Sequence, residues 1–62
     1  MSRLDGKTAI VSGAGRGLGL AFARALASRG ARVIAFDVAP AIERVAAELA
    51  GETGSEVIGL VA

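Results

Sequence analysis

Ser12-Gly13-Ala14-Gly15-Arg16-Gly17-Leu18-Gly19 lies between an apolar run, Thr8-Ala9-Ile10-Val11, and a helical pattern that runs on to Arg29. Strand, glycine-rich turn and helix in that order let backbone N–H groups and a helix N-terminus face a phosphate. The glycines alternate, so their register decides the reading. A G-x-G-x-x-G pattern fails from Gly13, where its last position is Leu18, and from Gly15, where it is Leu20. G-x-x-x-G-x-G fits, through Gly13, Gly17 and Gly19. Each has a physical task in such a turn. Gly13 lets the chain bend sharply out of the strand, Gly17 lets backbone approach a pyrophosphate, and Gly19 lets the helix pack closely. The alternative is a mobile glycine turn without a ligand.

Outward from the turn, periodicity gives a βαβαβ order. Lys7 to Val11 is the first strand, and its consecutive apolar residues call for cover on both faces. Gly17 to Arg29 is helical, with Leu18, Ala21, Phe22, Ala25 and Leu26 on one stripe and Gly30 placed to end it. Arg32 to Asp37 is a second strand. Pro40 suits the first turn of a second helix, Ala41 to about Glu52, whose stripe is Ile42, Val45, Ala46 and Leu49. Gly51 and Gly54 mark its end, and Glu56 to Ala62 is a third strand. Strands alternating with helices predict a Rossmann-like α/β fold: a three-stranded parallel sheet in the order 3-2-1. Both right-handed crossovers then place their helices on one face of the sheet.

Composition bounds the rest. Sixty-two residues make at most one small domain, which buries only about 60% of its unfolded surface. Cysteine and histidine are absent, which leaves no disulfide and none of the usual metal clusters to staple it. The cysteine-free composition fits a reducing, cytoplasmic setting. A net charge of +1 with interspersed signs offers no basic tract for nucleic acid. No run approaches the ~20 apolar residues of a membrane span, and Met1 to Asp5 carries an acid and lacks the apolar core of a signal peptide. Gly6-Lys7-Thr8 resembles the end of a P-loop, but Met1 stands where that loop needs glycine and no strand precedes it.

Asp37 closes the second strand, eighteen residues after Gly19. An acid there can accept hydrogen bonds from an adenosine ribose and repel a 2′-phosphate. It can equally make an Asx-turn or cap the helix that follows Pro40. Arg16, inside the turn, can pair a phosphate or stay solvated. The two argue in opposite directions on NAD against NADP. A carboxylate aimed at the 2′ position dominates, because a buried like-charge contact costs more than an exposed ion pair adds. Histidine and tyrosine are missing, so the usual proton-transfer groups of hydride chemistry are not in these residues.

Together these residues resemble the opening of a short-chain dehydrogenase/reductase. The resemblance runs through Leu4-Asp5-Gly6-Lys7, the first strand, Ser12 to Gly19, Gly30-Ala31 and Asp37-Val38. Ser12 stands where the family's T-G-x-x-x-G-x-G has threonine, keeping the hydroxyl. The resemblance implies that Gly13, Gly15, Arg16 and Leu18 line the pyrophosphate and ribose, within a cofactor-binding set that also takes in Ser12, Gly17 and Gly19. It implies that Asp37 holds the ribose hydroxyls and that Val38 lies near the adenine. Asp at this place implies NAD; arginine at position 16 is common in NADP users. It further implies an oxidoreductase acting on an alcohol or carbonyl group, a small-molecule substrate and a homo-oligomeric parent. The family's catalytic Ser and Tyr-x-x-x-Lys lie beyond these residues, so the chain reads as an N-terminal segment of a larger doubly wound fold, inactive alone. Two other readings remain: a non-catalytic nucleotide-binding module, and the start of an S-adenosylmethionine methyltransferase. A Tyr-x-x-x-Lys downstream separates the first from an enzyme; titration with NADH and S-adenosylmethionine separates the second.

Overall fold

The computed structural model describes residues 3–62; the polar lead-in at Met1 and Ser2 lies outside the described residues. Five elements follow in order: β1 Thr8–Ser12, α1 Gly17–Ser28, β2 Arg32–Asp37, α2 Ile42–Thr53 and β3 Val57–Val61. The strands form one parallel sheet in the order β1-β2-β3, as the crossovers predict. Ile10, Ile34 and Ile58 form one row across the sheet, and Ser12, Phe36 and Leu60 the next but one. Thr8 pairs with Arg32 and Val33 with Val57, so each ladder joins residues 24 positions apart. β1 starts and ends one residue later than the expected strand Lys7 to Val11; at its end Ser12 still pairs with Phe36 before the chain turns.

Alternate strand residues point to opposite faces. Val11, Val33 and Ala35 are buried beneath the helices, in one core with Ala23 and Ala27 of α1 and Ile42 and Leu49 of α2. Both helices lie on that face, and Arg24 of α1 meets Glu52 of α2 at 2.8 Å. The opposite face carries Ile10, Ile34, Phe36, Ile58 and Leu60. Ile10 is 67% exposed, although a continuous apolar strand is built to be covered on both sides.

The isolated 62-residue chain is therefore expected to self-associate, since it combines an apolar sheet face with β1 as an edge strand. Sedimentation velocity with amide exchange checks this. A monodisperse monomer with protected amides in all three strands would show that the face is tolerated bare.

The packing stripe of α1 differs from the one its large apolar residues predict. Ala23 and Ala27 are fully buried, Leu20 and Leu26 flank them, and Leu18 and Phe22 are 71% and 55% exposed. The cause is distance. The helix leaves the turn so close to β1 that a Cβ on Gly19 would collide with the Gly13 carbonyl oxygen. At that approach the small Ala23 and Ala27 face the sheet, while Leu18 and Phe22 are turned outward. The α2 stripe is as expected: Ile42, Ala46 and Leu49 are buried, with Val45 beside them. Pro40 sits in the turn before Ala41, the N-cap, rather than in the first helical turn. Gly51 lies inside the helix and Gly54 alone caps it.

Candidate functional site

The glycine turn and the end of β2 meet at the C-terminal edge of the sheet, where open α/β sheets place their ligands. β1 ends at Ser12, and the chain turns at Gly13 with φ +63°. Gly17, the first residue of α1, has φ +61°. Both conformations are costly for residues with a Cβ, and at both positions a Cβ would find no atom within 4 Å. Glycine is thus required here by backbone conformation, and the space in front of the turn is empty of protein.

Between these two glycines the turn is docked on β2. The Ala14 N–H donates to the Phe36 carbonyl at 3.0 Å, and Ala14 is fully buried. The Gly15 N–H donates to Asp37 Oδ2 at 2.8 Å. A Cβ on Gly15 would stand 2.6 Å from that oxygen, so any other residue here would push the Asp37 carboxylate aside. Asp37 Oδ1 accepts the Ala39 N–H at 3.0 Å, which makes the Asx-turn foreseen as an alternative for this residue. The carboxyl is held below its ordinary pKa, chiefly by the Ala39 N–H and then by that of Gly15. Slight desolvation opposes the shift; the Val38 N–H and the Arg16 charge add to it. Each carboxylate oxygen keeps a further lone pair for another donor.

Arg16 is the N-cap of α1, exposed and extended, and no side chain caps the helix there. The first turn of α1 contains no acid. Its leading N–H groups, which have no intrahelical acceptors, and the positive end of the helix dipole suit an anion. Leu18 is exposed on the same turn, Gly19 is half-buried beneath it, and Val38 is 80% exposed just beyond Asp37. Ser12, Gly13, Gly15, Arg16, Gly17, Leu18, Gly19, Asp37 and Val38 therefore all gather at one end of the sheet. The anchoring role of Ala14 escapes the sequence reading; its signal is a small residue held between two glycines of the motif.

At the other end of the sheet lies a polar cleft of about 410 Å³, lined by Arg3, Lys7, Arg32 and Glu56 among others. Four of its charges are paired, Arg3 with Asp5 and Arg32 with Glu56.

Comparison with known proteins agrees with this geometry. The family model for short chain dehydrogenase matches residues 7–62. D-threitol dehydrogenase of Mycolicibacterium smegmatis is 50% identical over 54 residues, which is 86% of this chain and 21% of that protein. The crystal structure of NADPH-dependent 3-quinuclidinone reductase from Rhodotorula rubra superposes with a TM-score of 0.86 at 36% identity, covering 94% of this chain and 22% of that one. L-sorbose reductase from Gluconobacter frateurii, complexed with NADPH and L-sorbose, superposes with a TM-score of 0.91 at 26% identity, covering 97% and 23%. The chain thus spans between a fifth and a quarter of the length of these relatives. With the family model matching residues 7–62 and the turn geometry above, the chain belongs to the short-chain dehydrogenase family.

Proposed function

We propose that these residues are the dinucleotide-binding opening of an NAD(P)-dependent oxidoreductase that acts on an alcohol or carbonyl group. The observation that carries the reading is Asp37 at hydrogen-bond distance from the glycine turn, beside the uncapped start of α1. Backbone N–H groups at Gly17, Leu18 and Gly19 hold the pyrophosphate. Gly13 leaves room for it, and Gly19 keeps α1 close to the strand. Ser12 and Gly15 border the ribose, Asp37 accepts its hydroxyls, and Val38 offers an apolar contact to the adenine. The cofactor supplies hydride transfer. The chain's own residues bind and orient it, and the proton-transfer groups lie outside them.

NAD is the preferred cofactor in this reading. A 2′-phosphate would have to sit against a carboxylate held in its ionised form by backbone donors. NADP is the second reading. It is favoured by the exposed Arg16 and by the NADPH named for both superposed reductases. Titration of the full-length protein with both cofactors decides between them. Asp37→Ser is expected to move the NAD:NADP affinity ratio toward NADP by about tenfold, about 1.4 kcal/mol, as Arg16 becomes free to pair the phosphate. A wild-type protein that prefers NADP with Asp37 intact would overturn the ribose assignment.

A further inference from the structure

We infer that Asp37 is a positioning residue for the glycine turn, holding it in its binding shape before any cofactor arrives and independently of contact with the ribose. The inference rests on the dinucleotide-binding reading above and adds a second role to the same carboxylate. A Cβ on Gly13 or Gly17 would meet no atom of the described residues within 4 Å, so neither end of the turn is packed at those positions. What fixes its middle is two successive bonds to β2, from the Ala14 N–H to the Phe36 carbonyl and from the Gly15 N–H to Asp37 Oδ2. The second continues the first, with a side-chain oxygen in place of a backbone one, across 22 residues of sequence.

The other oxygen is locked by the Ala39 N–H, which leaves the carboxylate little freedom to turn away. The fit is close, since Gly15 has no room for a Cβ beside Oδ2. An ionised acceptor makes this bond stronger than a neutral one would be. A turn already in shape loses less entropy when a ligand is bound, so affinity rises without a new contact.

The test separates this role from ribose binding. The probes are NAD and an NAD analogue whose adenosine half lacks both the 2′- and 3′-hydroxyls. They are titrated into the full-length protein as wild type, Asp37→Asn and Asp37→Ser, and amide exchange is recorded without cofactor. In Asp37→Ser the Gly15 amide is expected to exchange about tenfold faster while the Val33 amide is unchanged, and affinity for the analogue to fall about tenfold. Asp37→Asn keeps one acceptor oxygen and should fall between. Unchanged Gly15 exchange, or an unchanged affinity for the analogue, overturns the inference and leaves Asp37 as a ribose ligand alone. Loss of Val33 protection in both variants also overturns it, because the carboxylate would then be holding the sheet. Failure of the wild type to bind NAD, the analogue and NADP alike would sink the dinucleotide reading itself.

Discussion

Gly13→Val is expected to abolish dinucleotide binding by the full-length protein, with affinity for NAD and NADP alike falling by more than about a hundredfold, some 2.7 kcal/mol. Two effects add. At φ +63° a β-branched residue is strained by about 1–3 kcal/mol, which the turn can relieve only by losing its shape. If the shape is kept, the valine methyls project into the open space where the phosphates are to lie. The substitution changes no charge, so the loss cannot be ascribed to weaker electrostatics. Gly51→Ala is the control. It lies inside α2, away from the turn, where a Cβ meets nothing, and alanine there is expected to stabilise by about 0.5–1 kcal/mol without touching affinity. Calorimetric titration of both folded variants reads the difference. Wild-type affinity in a folded Gly13→Val protein would remove the turn as the phosphate cradle.

Gly59→Val is expected to be strongly destabilising. A Cβ at Gly59 would stand 2.6 Å from the Ile42 carbonyl oxygen and 3.0 Å from both Ala46 Cβ and Glu43 Cα. Two of these three are backbone atoms of α2, and the third is a methyl fixed directly to that backbone. None can rotate aside, so either β3 leaves its register or α2 lifts off the sheet. Overpacking of this kind costs about 1–3 kcal/mol, and contact with an immovable helix puts Gly59→Val at the upper end. The denaturant midpoint of the full-length protein should fall at unchanged slope, as for a pure loss of stability. Ile58→Val, one residue away on the face without helices, should move the midpoint far less. An equal fall in both variants would mean that β3 is not clamped by α2.

The difference between these two glycines shows what could be read from the residues alone. Gly13 belongs to a spaced motif between a strand and a helix, so its task follows from the pattern. The element order, the parallel pairing and the single helix-bearing face follow too, because they depend on periodicity and crossover handedness. Gly59 is one glycine inside an apolar strand, and nothing near it in sequence announces Ile42 or Ala46. The α1 stripe is hidden for the same reason. Periodicity ranks side chains by size, whereas the approach set by Gly19 and Gly13 favours the smallest ones, Ala23 and Ala27. At the site, Asp37 is legible as an acid at a strand end. Its simultaneous hold on Gly15 and Ala39 is a matter of three dimensions.

The two ladders, β1 with β2 and β2 with β3, both join residues 24 positions apart, and this bears on how the chain assembles. Closing a loop costs entropy that depends on its length, so the two crossovers begin from the same handicap. Neither strand pair has a topological head start, and relative contact order cannot rank them. The choice falls to what each closure buries. The first brings together Ala9 with Val33 and Val11 with Ala35 under an alanine-faced helix. The second places Val57 and Gly59 beneath Ile42, Ala46 and Leu49, where larger side chains leave water. On a released chain the second unit is therefore favoured over the first, although on the ribosome the first is synthesised earlier.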